Sequence, residues 1–357
     1  MSTSRLDAET IAALNGLTGA NRTVSLHVPW DEPDDLPALR EYAGSLGLRF
    51  DAMNSNTFQD NPSTTRDGAI TYKFGSLAAA DERVRDAAVE HNLHVIEIGR
   101  LLGSTALSIW IPDGANHPGQ TSLRLQFDRA AESLRRIHDA LPADWVMFTE
   151  HKPYEPAFYS TVVSDWGSSL LLAQAAGPRA RCLVDVGHHL PNTNVEQIVS
   201  RLAMTGRLGG FHFNDTKYGD DDVTVGSIAP FRLFLVFLEL LEIGDGRMPQ
   251  LAYLIDQSNN LKDPIEDLAQ ATDAIQHTLA LALCVDRASL SAAQEADDPA
   301  LAAELLHVAF RADVRPLVAE ARRLNGAALD PVTAYRRSGY RTAVAGERGS
   351  GHVATGL

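Results

Sequence analysis

Cysteine is nearly missing from this 357-residue sequence, which contains only two, Cys182 and Cys284. They lie far apart in apolar segments, which argues against a disulfide framework. Long apolar runs are missing too: none reaches the ~18–20 residues of a transmembrane helix, and the N-terminus lacks the basic-then-apolar layout of a signal peptide. We therefore predict a cytoplasmic protein that does not associate with membranes.

Positive charge is also in short supply. Lys and Arg number 31 against 46 Asp and Glu, which gives a formal net charge of −15. Nucleic-acid binders usually carry basic patches, and the phosphate-binding motifs GxGxxG and GxxxxGK[ST] do not occur. We therefore predict no nucleic-acid partner, and the acidic balance suits a small neutral substrate.

The sequence does contain short apolar runs that alternate with segments of helical period, as in βα units around a parallel sheet. Seven such runs occur, at 23–28, 49–55, 104–110, 145–150, 182–187, 209–214 and 252–257. Seven units in succession favour an α/β fold of the (β/α)8 TIM-barrel type over an open doubly wound sheet. The first strand of a barrel is not found: the helix-like segment 4–16 leads directly into the first run. An eighth strand would therefore lie before residue 1, or the barrel is open at one seam.

The pattern changes at about residue 286, after which helical segments follow one another without strands. We predict a TIM-barrel catalytic domain over 1–285. A helical C-terminal extension over 286–345 would pack across the barrel or against another subunit. The Gly-rich end of the chain, 346–357, is predicted to be a disordered tail.

Ionisable residues end four consecutive runs, at the edge of a parallel barrel where chemistry takes place. They are Glu150 with Lys152, Asp185 with His188, His212, and Asp256. A carboxylate in an apolar strand is costly unless it is paired or binds a cation, and one divalent metal would account for all four strand ends. Taken singly, such an Asp or His is more often a helix cap or a satisfied hydrogen-bonding group. Carboxylates with an imidazole suit Mn²⁺, Mg²⁺ or Co²⁺ better than a structural zinc.

The acidic run Asp220, Asp221 and Asp222 would by default be a solvated loop. It follows His212 closely enough to reach the same site. Alternate members, Asp220 and Asp222, could point together at a second cation while Asp221 points away with no assigned role, so that its replacement by Asn should be mild. Gly187 would let the chain turn after its strand and bring Asp185 and His188 to one site.

Longer motifs then resemble a known family. They are HVPWD (27–31), NSNTFQD (54–60), YKFGS (72–76), TEHKPYEPAFYSTVVSDWG (149–167), VDVGHHLPNTNVE (184–196), GGFHFNDTKYGDDD (209–222), LFLVF (233–237) and DQSNNLKDP (256–264). From about residue 23 to 345 the chain resembles the xylose-isomerase-like barrels, most closely the broad-specificity bacterial L-rhamnose isomerases. This resemblance implies a metal-dependent aldose–ketose isomerase that interconverts L-rhamnose and L-rhamnulose, and also D-allose and D-psicose. It further implies two divalent ions, Mn²⁺ first with Co²⁺, Mg²⁺ or Zn²⁺ as alternatives, and a homotetramer or dimer.

The same resemblance assigns roles to individual residues. It places a first metal on Glu150, Asp185, His212 and Asp256, and a second on Asp185, His188, Asp220 and Asp222. His27 would assist opening of the sugar ring, Lys152 would contact the substrate near the reacting carbonyl, and Asp256 would take part in catalysis. Trp110, His188 and Ser258 would contact the sugar, whereas Asn259 departs from the family pattern. Plainer interpretations stay open for three of these: Trp110 as core, Lys152 as an ion-pair partner and His27 as a capped strand end.

Three other functions compete with the isomerase. A sugar epimerase on this barrel would use two opposed glutamates with one metal, but the fourth strand end carries Asp256 and a second metal set is present. A phosphodiesterase of the endonuclease type would need a basic face, which the net charge of −15 opposes. A non-catalytic sugar-binding relative would lack metal ligands, and none is missing.

Overall fold

The computed structural model describes residues 3–60, 70–219, 221–257 and 261–348. Its strands are β1 (Thr23–Val24), β2 (His27–Val28), β3 (Arg49–Phe50), β4 (Met53–Ser55), β5 (Ala106–Trp110), β6 (Gly114–Ala115), β7 (Val146–Glu150), β8 (Ser160–Thr161), β9 (Ala180–Asp185), β10 (Leu208–Phe213) and β11 (Ala252–Ile255). Its helices are α1 (Thr3–Thr18), α2 (Leu36–Ser45), α3 (Glu82–Leu102), α4 (Leu123–Ala140), α5 (Trp166–Ala176), α6 (Val195–Met204), α7 (Pro230–Ile243), α8 (Pro264–Leu283), α9 (Arg287–Glu295), α10 (Pro299–Phe310), α11 (Arg315–Leu324), α12 (Pro331–Ser338) and α13 (Tyr340–Arg348).

The main sheet has seven parallel strands in the order β11-β10-β9-β7-β5-β4-β2. Each of the seven predicted apolar runs supplies one of its strands, which confirms the predicted α/β fold of TIM-barrel type. Two runs are interrupted: residues 23–28 form β1 and then β2, and residues 49–55 form β3 and then β4. Because both runs break at the same level, β1 pairs with β3 while β2 pairs with β4.

Within the described residues, β2 and β11 are the two edges of this sheet. Helix α1 packs against α8 and α2, so the helical layer continues across the gap between these strands. Beneath α1 lies a cavity of about 660 Å³, lined by residues of α1, β1, β11 and α8. His27, His212 and Asp256 also line this cavity, so it reaches the carboxyl ends of the strands. Within the described residues, the barrel is therefore open at one seam, between β2 and β11.

The interior of the barrel is filled by a small apolar layer of Ala52, Ala106, Phe148 and Leu183, all buried. Gly209 on β10 makes room for this layer, since a Cβ atom there would lie 2.8 Å from the Phe148 ring. A small residue opposite a large one is the usual way in which barrel layers interdigitate. This apolar layer lies beneath the polar residues at the strand ends.

Several of the helices that follow the strands begin at an acidic N-cap. The carboxylates of Asp81, Asp165 and Asp263 accept backbone N–H groups at the starts of α3, α5 and α8. These caps satisfy donors that the first turn of a helix leaves free, and each contributes ~1 kcal/mol. Some of the acidic residues near strand ends are therefore structural.

Five helices, α9–α13, follow residue 286 in the described part of the chain. They attach to the barrel through α8: Arg322 on α11, only 4% exposed, donates to Asp273, and the Tyr335 hydroxyl on α12 donates to Asp263. Helix α13 extends to Arg348, and residues 349–357 of the predicted tail lie outside the described residues. No helix in the described part of the chain is long and apolar enough to cross a membrane.

Candidate metal centre

Four side chains meet at the carboxyl ends of β7, β9, β10 and β11. Glu150, Asp185, His212 and Asp256 each offer one ligand atom, and these atoms lie within 4.8 Å of one another. His212 Nδ1 is central, 3.1 Å from Glu150 Oε1 and 3.2 Å from Asp256 Oδ2. The first three side chains are buried, whereas that of Asp256, next to the seam, is 49% exposed. We call these four residues the first cluster.

A second cluster, made of Asp185, His188 and Asp222, adjoins the first. His188 Nε2 lies 3.8 Å from Asp185 Oδ2 and 4.0 Å from Asp222 Oδ1. His212 Nδ1, in the first cluster, also lies 3.8 Å from Asp185 Oδ2. A single carboxylate oxygen thus faces both imidazoles, so Asp185 is shared between the clusters.

The electrostatics of the first cluster are dominated by Glu150 and His212. Burial opposes the charged form of each. Attraction between them outweighs burial, so the pKa of Glu150 falls well below its usual value and the pKa of His212 rises well above its own. Asp256 and a hydrogen bond from His188 to Glu150 act in the same direction. The charged form of the His212 imidazole is therefore favoured between these carboxylates.

Asp185 behaves differently because it is fully buried among other carboxylates. Burial raises its pKa to about 6; His188 lowers it in part, and Glu150 raises it further. A buried carboxylate with a raised pKa is typical of functional sites. A divalent cation would favour its charged form.

The donor set itself fits a divalent cation. The first cluster brings three carboxylates and one imidazole together, and the second brings two carboxylates and one imidazole. This oxygen-rich chemistry suits Mn²⁺, Mg²⁺ or Co²⁺, and the excess of negative charge in each cluster calls for a positive ion.

Of the predicted ligands, the structure brings together Glu150, Asp185, His188, His212, Asp222 and Asp256. Asp220 and the predicted substrate contact Ser258, like Asn259, lie outside the described residues. Their roles remain predictions.

Asp221 has a structural role that the sequence did not reveal. Its carboxylate accepts the backbone N–H groups of Lys217 and Tyr218 and the hydroxyl of Thr216. These bonds shape the loop between β10 and α7. The next residue, Asp222, has a φ of 43°, in the left-handed region that Asp and Asn tolerate better than other residues with a Cβ. Asp221 thus shapes the turn from which Asp222 extends to the second cluster.

Three further predicted site residues lie around the clusters. The Lys152 ammonium lies 4.8 Å from the centre of the Trp110 ring and 3.1 Å from Glu155 Oε2. Trp110 also contacts Phe58, which in turn contacts Trp30, with ring centres 5.0 and 5.3 Å apart. These rings form an aromatic row along the ends of β2, β4 and β5.

His27 lies at the open seam. Its side chain is exposed and lines the same cavity as Asp256 and His212. Its backbone N–H donates to Asp31 Oδ2. The backbone of His27 is thus capped by Asp31, as the plainer interpretation predicted. The imidazole of His27 is not part of this cap and is accessible at the strand ends.

Sequence reasoning missed three buried polar side chains behind the ligands. His151 and His189 follow Glu150 and His188, and their rings contact each other edge to face with ring centres 4.7 Å apart. Burial lowers the pKa of His151 to about 4 and that of His189 well below its usual value, so both are neutral. Asn214 directly follows β10 and contacts both clusters. In the sequence, these three residues could have been found because each lies within two residues of a predicted ligand.

A parallel α/β barrel with carboxylates and imidazoles gathered at its strand ends defines a TIM-barrel protein with a candidate metal centre. The chain belongs to the xylose isomerase-like TIM barrels, whose family model matches residues 11–261. It is 53% identical over 344 residues to a probable sugar isomerase of Rhizobium meliloti (strain 1021), covering 95% of this chain and 79% of that protein. It is 52% identical over 342 residues to a probable sugar isomerase of Mesorhizobium japonicum, covering 95% and 78%.

Solved structures share the fold at lower identity. A D-psicose 3-epimerase with D-tagatose from Clostridium cellulolyticum H10 matches with a TM-score of 0.56 and 13% identity, over 78% of this chain and 94% of that one. A xylose isomerase domain protein from Alicyclobacillus acidocaldarius matches with a TM-score of 0.58 and 15% identity, over 79% and 95%. At these identities the likeness shows the fold alone.

Proposed function

We propose that this protein is a metal-dependent aldose–ketose isomerase that interconverts L-rhamnose and L-rhamnulose, and also accepts D-allose. One observation carries the proposal: two ligand clusters share the Asp185 Oδ2 atom, which lies 3.8 Å from both His188 and His212. A shared carboxylate suits two neighbouring divalent cations, and such pairs hold two oxygens of one substrate. The names of the 53% and 52% identical relatives, both probable sugar isomerases, support the same reaction class.

Two cations in the clusters would polarise the carbonyl and hold hydroxyl oxygens of the opened sugar. The chain's own residues would do the rest. Lys152, 14% exposed and held against Trp110, would donate to the sugar oxygen that gains negative charge. The apolar ring beside it keeps the local dielectric low, which strengthens that interaction. His27, accessible at the seam, would accept the anomeric hydroxyl proton as the ring opens.

Substrate contacts would come from the neighbouring aromatic row and from the remaining predicted residues. Trp110, His188 and Ser258 would contact the sugar, and Asp220 would complete the second cluster. Asp256 would take part in catalysis through the first cluster, facing the cavity at the seam. We further propose Mn²⁺ as the ion in both clusters, a cytoplasmic location and a homo-oligomer, a tetramer or dimer.

The test is turnover of L-rhamnose by the purified protein. Metal is stripped with EDTA, MnCl₂ is returned, and L-rhamnulose is measured by chromatography. We expect product only with Mn²⁺. Absence of any aldose turnover with Mn²⁺ would overturn the isomerase. Conversion of D-fructose to D-psicose without aldose turnover would replace it with the competing epimerase.

A matched pair of variants sharpens this test. Asp222→Asn removes a charge from the second cluster, and Asp245→Asn removes one from an exposed turn. The two positions have similar backbone demands, with φ values of 43° and 49°. We expect Asp222→Asn to abolish turnover and Asp245→Asn to retain it. Equal turnover by the two variants would show that the second cluster is not used.

A further inference from the structure

Asn214 is placed between the two clusters. It directly follows β10, and its side chain is buried, with the residue 1% exposed. Its Nδ2 atom lies 3.0 Å from Asp185 Oδ1 and 3.0 Å from Asp222 Oδ1, and it also lies 2.8 Å from the backbone oxygen of Asp256. These acceptors belong to the ends of β9 and β11 and to the loop that follows β10. One amide therefore links the segments that carry the ligands.

The orientation of this amide follows from its surroundings. Nδ2 faces only oxygen acceptors, so rotating the amide would set its Oδ1 against carboxylates that donate nothing. Oδ1 instead points away and has no partner among the described atoms. It approaches Gly187, where an added Cβ would lie 2.6 Å from it. The sequence assigned Gly187 to a turn, but the structure shows that its small size admits the Asn214 amide.

Asn214 also influences how Asp185 faces the clusters. Asp185 Oδ1 accepts from the backbone N–H groups of Gly187 and His188, at 2.8 and 3.2 Å, as well as from Asn214. Asn214 Nδ2 also lies 3.1 Å from Asp185 Oδ2, the oxygen that faces His188 and His212. Removing one donor would leave a buried carboxylate less well held.

The hydrogen bond from Asn214 to Asp222 matters more for position, because Asp222 lies in a loop and is not held by a strand. The Asp222 oxygen that accepts from Asn214 is the same Oδ1 that lies 4.0 Å from His188 Nε2. The Asn214 amide thus holds a ligand atom of the second cluster near its partners, and its N–H groups offset repulsion between two carboxylates. No equivalent hydrogen bond joins Asn214 to the Glu150 side chain within the described residues.

We propose that Asn214 is a positioning residue that sets the affinity of the second cluster for its cation, while the first cluster depends on it much less. This inference rests on the proposed two-cation function. Partners of this kind typically change metal affinity by about 10–100-fold when they are removed. We therefore expect Asn214→Ala to weaken the second Mn²⁺ ion by about 10–100-fold and the first by less than about threefold.

The experiment counts Mn²⁺ ions by calorimetry and by the electron paramagnetic resonance signal of free Mn²⁺. The control is Asn92→Ala: Asn92 is also fully buried, its Nδ2 donates to the Ala88 carbonyl at 2.8 Å, and its Oδ1 has no partner in the part of the chain that the structure describes. Asn92 lies on α3, so its loss should leave both Mn²⁺ affinities unchanged. Asn214→Ser, which is too short to reach the acceptors, replaces the alanine variant if that variant does not fold.

A double-mutant cycle shows whether Asn214 acts through Asp222. In the Asp222→Asn background, the further change Asn214→Ala should alter the weaker ion's affinity by less than about threefold. Wild-type affinities for both ions in Asn214→Ala, or equal weakening of both ions, would overturn the proposal. Wild-type protein that binds no Mn²⁺ would instead overturn the proposed function on which it rests.

Discussion

Metal affinity should fall steeply as the pH is lowered, because protons compete for the ligand atoms. The pKa of Asp185 is raised to about 6, chiefly by burial, so at pH 5 most of the metal-free protein carries a proton there. For a single competing proton of pKa ~6, affinity falls about 10-fold between pH 7.5 and pH 5, or ~1.4 kcal/mol. The pKa of His212 is raised well above its usual value by Glu150 and Asp256, despite burial. His212 must therefore also lose a proton, which adds up to about 10-fold per pH unit.

The stability of the metal-free protein should move the opposite way. Groups whose pKa is raised on folding stabilise the fold at low pH, and that contribution is lost as pH rises through the folded-state pKa. Asp185 loses its contribution near pH 6 and His212 at higher pH. Bound Mn²⁺ should therefore raise the melting temperature more at pH 7.5 than at pH 5.

The assay combines calorimetric titration with MnCl₂ and thermal melting at pH 5.0, 6.0, 7.0 and 7.5. His94→Gln is the control, since His94 pairs with Glu32 on the surface and that pair should not affect the Mn²⁺ slope. A dissociation constant that stayed constant from pH 5 to 7.5 would refute the reasoning, because it would mean that the ligands bind no protons to be displaced.

Four variants give further expected outcomes. Asp221→Asn should lower turnover by disturbing the loop that carries Asp222, with little change in the melting temperature; unchanged turnover would contradict the loop contacts. Lys152→Met should cut kcat by roughly 100-fold or more while leaving Mn²⁺ affinity intact, as removal of a charge-stabilising group does. Glu150→Gln removes one of the two carboxylates that contact the His212 imidazole and leaves Asp256 as the other, so it should cost the metal-free protein roughly 1.5–3 kcal/mol in urea unfolding. Asp256→Asn breaks a pair that is 49% exposed on one side and screened by solvent, so it should cost only ~1 kcal/mol in the same assay.

The strands could be predicted because each of the seven runs is apolar and is flanked by turn residues, and barrel geometry then places the carboxyl ends of the strands together. Glu150, Asp185, His212 and Asp256 followed from that geometry. The breaks within residues 23–28 and 49–55 could not be predicted, since they depend on which strands pair at each level.

Residues that act through hydrogen bonds were harder to find than ligands. An Asp after a strand can be a cap, as Asp165 is for α5, or a buried group such as Asp185, and only the surrounding packing separates the two. Asn214 carries no charge and lies outside the predicted ligand pattern, although it bonds to two of the ligands. Its role depends on distances between separate strands, which one sequence does not contain.

The two clusters differ in how the fold supports them, and this difference has a chemical consequence. The first cluster is built from side chains at four strand ends, above the apolar layer that contains Phe148. The second relies on a loop residue, Asp222, which depends on Asn214 and on the Asp221 turn. A ligand held by a loop can move more easily than one held by a strand. In the proposed isomerase, a cation held by the second cluster would therefore have the more adaptable set of ligands, and one held by the first cluster the more rigid set.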